Sequence, residues 1–282
     1  MTVKIRRMIL LTFVFISVII TLTGCQRAEV ETKKNNLQIY CFSAGKADAF
    51  LLTTANGTVM IDAGTKDFSD ELIAYLKSAG IDRIDYLIVT HFDKDHVGGA
   101  GKLLSTFPVG AVLQSNCPQD NGPYQTYAIA LGNSQIDTIT VRETYTFKLD
   151  GISYVIDPPK KDSYNNSPSN NSSLIVSVAN GSNSFLFMGD AEHDRIKEFL
   201  SDHKGTYDFL KVPYHGYWQK KLEELIGTAH PAYAVITSSI AEPEDERTTA
   251  MLSGLGAETF LTRNAPVIVR SDGENISVQY AY

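Results

Sequence analysis

Cysteine is scarce in this sequence, and acidic residues outnumber basic ones. Three cysteines, far apart at positions 25, 41 and 117, exclude a zinc site built from a cysteine cluster. Removing residues 1–24, which hold three basic and no acidic residues, takes the formal net charge from −7 to −10. A surface this acidic does not attract nucleic acid by bulk electrostatics, so nucleic acid would need a local basic groove or a metal to bind.

The first 25 residues have the layout of a secretory signal. A basic start, MTVKIRR, precedes the apolar run MILLTFVFISVIITL, and the stretch ends in Leu22-Thr23-Gly24-Cys25. This ending resembles a bacterial lipobox, in which Cys25 receives a lipid and becomes the first mature residue; an uncleaved membrane anchor is the alternative. Both interpretations predict an extracytoplasmic protein held at the membrane, with residues 26–36 as a polar tether and residues 37–282 as the folded domain. A disulfide between the remaining cysteines, Cys41 and Cys117, is compatible with the sequence but not established by it.

Beyond residue 36, strand and helix patterns alternate without an internal repeat or a linker. Short apolar runs such as LQIYCF, AFLLTT and IDYLIVT predict strands, Asn56-Gly57 predicts a hairpin, and DFSDELIAYLKSAG has helical spacing with a glycine stop. The many hairpins exclude a simple βαβ alternation. They predict one mixed α/β domain, and two mixed sheets covered by helices would suit it.

The segment THFDKDHVGG at residues 90–99 concentrates side chains that bind metals. Directly after the buried-type strand IDYLIVT, it holds two of the six histidines and two aspartates within six positions. Because α/β folds tend to build sites at the carboxyl ends of strands, four ligands are predicted here: His91, Asp93, Asp95 and His96. The glycine pair at 98 and 99 is expected to let the backbone turn sharply into the next helix. A solvated, charged turn is the competing interpretation.

The spacing H-x-D-x-D-H is close to the H-x-H-x-D-H signature of the metallo-β-lactamase fold, with aspartate in place of the second histidine. Followed by Val-Gly-Gly, it resembles the extracellular metallo-β-lactamase-like domain of the competence protein ComEC and its stand-alone relatives. Further segments follow in that family's order: GKADAFLL, IDAG, NNSSL, FMGDAE and KVPYHG. The resemblance covers about residues 37–280 and implies an αββα sandwich of two mixed sheets with helices on the outer faces.

The resemblance also implies roles for residues outside the first loop. Asp190 of FMGDAE would bridge two metals, and His215 of KVPYHG would complete the shell of the second metal. Asp48 and Asp62 would orient ligand histidines through their ring N–H groups, as carboxylates behind metal ligands do. Each has a structural alternative: Asp190 could cap a helix, His215 could be an ordinary loop residue, and Asp48 and Asp62 could be turn or cap residues.

Two features depart from common patterns of this family. Its late motif reads His-His-Gly-Ser, whereas this chain has Tyr214-His215-Gly216-Tyr217. Tyr214 can donate a hydrogen bond but, with an ordinary pKa of about 10, is a weaker acid–base group, so a different substrate or slow turnover is expected. Asn170-Asn171 stands where other members carry a histidine, which makes the first metal position rich in oxygen ligands. Two divalent ions are expected, with Zn²⁺ and Mn²⁺ both open.

Together these residues predict a metal-dependent hydrolase that attacks its substrate with a metal-bound hydroxide. Asp95 would position the nucleophile, and Tyr214 or Asn171 would stabilise the developing oxyanion. The family favours phosphodiester hydrolysis, with nucleic acid among the candidate substrates, but the acidic surface suits another envelope ester or a small molecule at least as well. A lipoprotein that keeps its metal and serves only as a binding module is the non-enzymatic alternative. The sequence does not indicate an oligomeric state.

Overall fold

Two mixed β-sheets form the centre of the protein, which a computed structural model describes over residues 36–282. The first sheet contains β1 (Leu37–Cys41), β2 (Ala49–Thr53), β3 (Thr58–Ala63), β4 (Ile84–Val89), β5 (Val109–Gln114), β6 (Asp137–Thr140), β14 (Val267–Ser271) and β15 (Ile276–Tyr280). The second contains β7 (Tyr145–Leu149), β8 (Ile152–Asp157), β9 (Ile175–Asn180), β10 (Asn183–Phe187), β11 (Phe209–Lys211), β12 (Tyr233–Ile236) and β13 (Glu258–Leu261). Their spatial orders are β15-β14-β1-β2-β3-β4-β5-β6 and β13-β12-β11-β10-β9-β8-β7.

Helices cover the outer face of each sheet. They are α1 (Ser69–Ser78), α2 (Lys94–Val97), α3 (Ala100–Thr106), α4 (Gly122–Gly132), α5 (His193–Asp202), α6 (Leu222–Ala229) and α7 (Glu246–Gly254), with short 3₁₀ turns at Asn170–Ser172 and Tyr214–Gly216. Apolar side chains of α1, α3 and α4 share a buried cluster with the first sheet. Those of α5, α6 and α7 share another with the second sheet.

A third apolar cluster lies between the two sheets and takes residues from both. Phe50 of β2 and Phe187 of β10, for example, meet edge to face with ring centroids 5.2 Å apart. Burial of apolar area is the main favourable term in folding, and these three layers account for most of it here. The αββα sandwich of two mixed sheets expected from the sequence is therefore confirmed.

Parallel strands lie at the middle of each sheet and give the site its position. β3 to β6 run parallel in the first sheet, and β10 to β13 run parallel in the second. The loops at the carboxyl ends of β4, β10, β11 and β12 approach one another. A backbone hydrogen bond from Leu174 N to Thr90 O, at 2.9 Å, joins the loop before β9 to the loop after β4.

The glycine pair after the first loop is needed for a reason other than the expected sharp turn. Gly98 and Gly99 have ordinary helical dihedrals, with φ of −55° and −84°. A Cβ on Gly99 would lie 2.3 Å from Ala63 O, and one on Gly98 would lie 2.3 Å from Lys94 O. Both positions require glycine because neighbouring backbone passes too close for a side chain, which corrects the expectation based on flexibility.

Cys41 and Cys117 are both buried, free thiols, so the disulfide that the sequence left open is not formed. Within residues 36–282, no helix has the length and apolar character needed to cross a bilayer. The proposed signal segment, Cys25 and all but the last residue of the tether lie outside the described residues. The lipid anchor and its location therefore stay predictions.

Candidate metal centre

The predicted ligands meet where loops of both sheets converge. Asp190, after β10, lies between two histidines, with Oδ1 3.3 Å from His96 Nε2 and Oδ2 3.1 Å from His215 Nε2. Asp95 Oδ2 is 3.4 Å from the same His215 nitrogen. Each oxygen of Asp190 therefore faces a different histidine.

His91 and Asp93 form the other side of the cluster. His91 Nε2 is 3.6 Å from Asp93 Oδ2, and the rings of His91 and His96 lie with centroids 4.1 Å apart. Asp93 is partly exposed, and its second oxygen accepts a hydrogen bond from the Ser169 hydroxyl. All six ligands predicted from the sequence are thus brought to one place.

The cluster fits a metal ion because the side-chain atoms that would coordinate it have no hydrogen-bond partner in the protein. The Nε2 atoms of His91, His96 and His215 and Oδ1 of Asp190 are buried without a hydrogen-bond partner. A buried polar atom in this state costs about 1–3 kcal/mol unless something satisfies it. Histidine nitrogens and carboxylate oxygens are ligands for divalent transition metals such as Zn²⁺ and Mn²⁺.

Each histidine is held by its other ring nitrogen. His96 Nδ1 lies 2.8 Å from Asp62 Oδ2, and His215 Nδ1 lies 2.9 Å from Thr237 O. Both partners are acceptors, so Nδ1 carries the proton and Nε2 keeps its lone pair toward the centre. His91 Nδ1 lies 3.2 Å from the Thr90 hydroxyl, which completes the same pattern.

Asp62 organises this side of the centre. Its side chain is fully buried and accepts from Thr90 N at 2.7 Å, from Thr90 Oγ1 at 2.6 Å and from His96 Nδ1. Because the Thr90 hydroxyl donates to Asp62, its oxygen is free to accept from His91. One carboxylate therefore contacts two histidine side chains, one directly and one through a threonine.

Asp48 lies behind the ligands. One ligand atom from each of Asp48, His96, Asp190 and His215 falls within 4.8 Å of the others, so Asp48 belongs to the buried group that could bind metal. Its oxygens, however, are taken by the Lys211 ammonium and, at 2.6 Å, by the Thr237 hydroxyl. They also approach the Nδ1 atoms of the histidines at 3.7 Å rather than the free Nε2 atoms. This geometry favours an orienting role.

The electrostatic field of the cluster attracts a cation. Burial would raise the pKa of Asp190, but the positive charges of His215 and His96 hold it well below its usual range. Burial would lower the pKa of His96, but Asp190 and two further aspartates raise it well above its ordinary value. Without metal this field favours protons on His96 and His215, and the same field favours a divalent ion in their place.

A left-handed turn presents His215. Tyr214 and His215 have φ of 49° and 51°, followed by Gly216 at 77°. A non-glycine residue in this region costs about 1–3 kcal/mol, and such strain persists only where surrounding contacts hold it. Here the two bonds from His215 Nδ1 to Thr237 O and Oγ1 supply that restraint.

A pocket of about 460 Å³ opens beside the cluster, lined by Lys46, Asp93, Lys94, Asp95, Asn121, Pro123, Asn170, Asp190 and Tyr214. Burial, Glu192 and other negative charges raise the pKa of Tyr214, so its hydroxyl stays protonated at neutral pH and can donate.

Asn171, the other predicted oxyanion donor, does not line this pocket. Its amide donates to Asn166 O and accepts from Arg195 N, so the proposed catalytic role does not match its position. Asn170 lines the pocket and donates to Glu192.

Two residues that contact Asp48, Lys211 and Thr237, were not predicted from the sequence. Lys211 is fully buried, donates to Gly189 O at 2.9 Å and contacts Asp48. A charged residue inside the apolar run FLKVP was a signal that could have revealed it. No local pattern in the sequence marks Thr237 as part of the site, because its partner Asp48 lies 189 positions away.

Comparison with known protein families matches the Metallo-beta-lactamase superfamily over residues 43–236, which is more than half of the chain. The chain belongs to this superfamily. ComE operon protein 3 of Bacillus subtilis (strain 168) is 27% identical over 251 residues, which cover 80% of this chain and 30% of that protein. Competence protein ComA of Neisseria gonorrhoeae is 23% identical over 221 residues, covering 77% and 29%. The resemblance to ComEC-like competence proteins is confirmed, although the chain spans less than a third of their length.

Among solved structures, the metallo-beta-lactamase fold protein YhfI from Bacillus subtilis superposes with a TM-score of 0.59. The match covers 84% of this chain and all of YhfI, at 10% sequence identity. At that identity the likeness establishes the fold alone.

Proposed function

We propose that the protein is a metal-dependent phosphodiester hydrolase, held at the outer face of the cytoplasmic membrane by a lipid on Cys25. The observation that carries the enzymatic part is the set of buried, unpartnered atoms, three histidine Nε2 atoms and Asp190 Oδ1, beside an open pocket. A structural cluster would satisfy these atoms internally, whereas a catalytic one leaves them for a metal.

The charges of the cluster support two divalent ions. Five aspartates, at 48, 62, 93, 95 and 190, are accompanied inside the centre by one buried ammonium, that of Lys211. The resulting excess of four negative charges, which becomes three when the Lys46 ammonium beside Asp95 is counted, exceeds the charge of one divalent cation. Buried charges are tolerated when they are paired, so this balance favours a dinuclear centre.

Ions held here would activate water for attack and offset negative charge on the substrate. The chain's own residues supply the remaining steps. Asp95 lines the pocket with Oδ2 toward His215, and its carboxylate is placed to hold the attacking water by accepting a hydrogen bond from it. The protonated Tyr214 hydroxyl can donate to the oxygen that gains charge.

The choice of a phosphodiester rests on the relatives and on the pocket. The competence proteins contain a similar segment within much longer chains, and the pocket admits a small ester or one linkage of a polymer. Nucleic acid is therefore a candidate substrate, although the acidic surface requires the metal centre to provide the attraction. Another envelope ester remains the alternative substrate.

The test is metal content by plasma mass spectrometry and hydrolysis of bis(p-nitrophenyl) phosphate by the full chain purified in detergent. His215→Ala should lose both, while His230→Asn, at an exposed left-handed position after α6, should keep both. Bound metal without hydrolysis of any ester would support the binding module. A chain that stays empty after incubation with Zn²⁺ and Mn²⁺ would refute the proposal.

Anchoring needs a separate experiment. Wild-type protein should incorporate labelled fatty acid and remain in the membrane fraction, and Cys25→Ala should not incorporate it. Labelling of the Cys25→Ala variant would count against the lipid anchor.

A further inference from the structure

Lys46 reaches the pocket from the loop between β1 and β2. Its side chain is 18% exposed, and Nζ lies 3.6 Å from Asp95 Oδ2. The same Nζ lies 5.5 Å from the ring centroid of Tyr217 and 6.0 Å from that of Tyr214, within the range of cation–π attraction. The ammonium is thus held over the centre by two rings.

These two rings are the positions at which the chain departs from the His-His-Gly-Ser motif. Tyr214 and Tyr217 pack against each other with centroids 5.3 Å apart and planes at 58°. A histidine and a serine could not form this aromatic wall. The departure therefore has a structural consequence, because it supports a lysine at the mouth of the pocket.

Lys46 is a cation at neutral pH. Burial would lower its pKa, but the negative charges of Asp95 and Asp190, with that of Glu242, raise it. Glu242 is exposed, so solvent and salt screen its charge. Asp95 Oδ2 also faces His215 Nε2, and when that oxygen serves a metal the ammonium keeps its donors for a molecule in the pocket.

Resting on the proposed hydrolase function, we propose that Lys46 determines substrate specificity by donating to a non-bridging phosphoryl oxygen, so that the pocket selects a phosphodiester anion over a neutral ester. Tyr214 and Tyr217 position it. The five aspartates are balanced by Lys211 and two divalent ions, so Lys46 adds positive charge to a centre that is otherwise near neutral.

The experiment compares Lys46→Gln, Lys46→Arg and the control Lys161→Gln in the full chain loaded with metal. Lys161 is a matched control because its Nζ also lies over a tyrosine, 5.2 Å from the Tyr164 ring, and is 3.9 Å from Glu198. Three quantities are measured: kcat/KM for bis(p-nitrophenyl) phosphate, kcat/KM for p-nitrophenyl acetate, and the Kd of inorganic phosphate by calorimetry. Metal content is checked for every variant.

Loss of a charge-assisted hydrogen bond should lower kcat/KM for the diester and weaken phosphate binding by about 10- to 100-fold in Lys46→Gln. Acetate hydrolysis and metal content should not change, Lys46→Arg should recover much of the loss, and Lys161→Gln should match wild type. Equal loss on both esters, or loss of metal in Lys46→Gln, would overturn the proposal, since Lys46 would then act through Asp95.

Failure of the proposed function can be told apart from failure of this inference. If the wild type cleaves neither ester, the hydrolase proposal fails. The role of Lys46 in anion recognition is then tested by the Kd of inorganic phosphate alone. A phosphate Kd in Lys46→Gln within twofold of wild type would refute anion recognition, whatever the activities are.

Discussion

Replacing Asp62 by asparagine tests how the histidines are held. Asp62 accepts three hydrogen bonds, two from Thr90 and one from His96 Nδ1. Asparagine has the same shape, but one of its two terminal atoms is an amide nitrogen, which donates and does not accept. It therefore cannot satisfy the three donors that surround this position.

Both orientations of the new amide are unfavourable. With nitrogen at the Oδ1 position, it faces Thr90 N, and two donors oppose each other where the carboxylate oxygen is now 2.7 Å away. With nitrogen at the Oδ2 position, it faces His96 Nδ1, and the ring must move its proton to Nε2. That proton would occupy the atom 3.3 Å from Asp190 Oδ1, where the metal is expected.

The first orientation leaves a buried donor unsatisfied, which costs about 1–3 kcal/mol of folding free energy. The second removes a ligand lone pair, and losing such a partner behind a metal ligand lowers metal affinity about 10- to 100-fold. We expect Asp62→Asn to bind Zn²⁺ at least about tenfold more weakly than wild type, since even the first orientation disturbs the loop that carries His91.

The assay is competition for Zn²⁺ with a chromophoric chelator, with urea unfolding in EDTA to measure the stability of the metal-free chain. Asp208→Asn is the control, because Asp208 also accepts from the backbone N–H and the hydroxyl of one residue, Ser184, but both bonds go to Oδ2 and it contacts no histidine in the described structure. An amide oxygen at the Oδ2 position can keep both bonds, so Asp208→Asn should keep wild-type Zn²⁺ affinity. Wild-type Zn²⁺ affinity in Asp62→Asn would refute the proton-placement argument.

Three further predictions concern protons, packing and metal removal. The raised pKa values of His96 and His215 mean that metal must displace protons, so metal affinity should increase as pH rises through and above the ordinary histidine range. The metal-free chain should lose stability over the same pH range, because a group whose pKa is raised in the folded state stabilises most below its unfolded pKa. A metal affinity measured by calorimetry, or a Tm measured by thermal melting, that did not follow these trends with pH would contradict the argument. Gly99→Ala should lower stability by about 1–3 kcal/mol because its Cβ would meet Ala63 O, whereas Gly254→Ala, with open space, should be neutral or stabilising in urea unfolding. Chelation should lower Tm, because metal at a hundred times its Kd contributes about 2.7 kcal/mol, and an unchanged melting curve would indicate that no metal is bound.

Local patterns in the chain predicted two mixed sheets and four candidate ligands, while the family resemblance implied Asp190, His215 and the αββα sandwich. The four candidates lie within residues 91–96 directly after a buried strand, and Asp190 and His215 also follow strand ends. Carboxyl ends of neighbouring parallel strands meet at one edge of a sheet, so side chains placed there are expected to converge. The hairpin at Asn56-Gly57 was equally local, since its turn chemistry and flanking strands are adjacent in the chain.

Contacts between distant segments could not be predicted in this way. Lys211 of β11 and Thr237, directly after β12, contact Asp48 from the other sheet, and the Asn171 amide oxygen accepts from Arg195 N and does not face the pocket. The need for Gly98 and Gly99 comes from backbone that passes close by, which no local property of the glycines reveals.

The sequence by itself determined which chemical groups stand at the ends of buried strands, because hydrophobic periodicity and turn residues act over a few positions. Only the tertiary structure decided which atoms of those groups are free. Nδ1 of His96 and Nδ1 of His215 are each engaged by a residue from another segment, so Nε2 faces the centre, and Lys46 comes to lie near two tyrosines far along the chain. Hydrogen-bond and cation–π partners are chosen by distance in space, and that distance is set when the two sheets pack together.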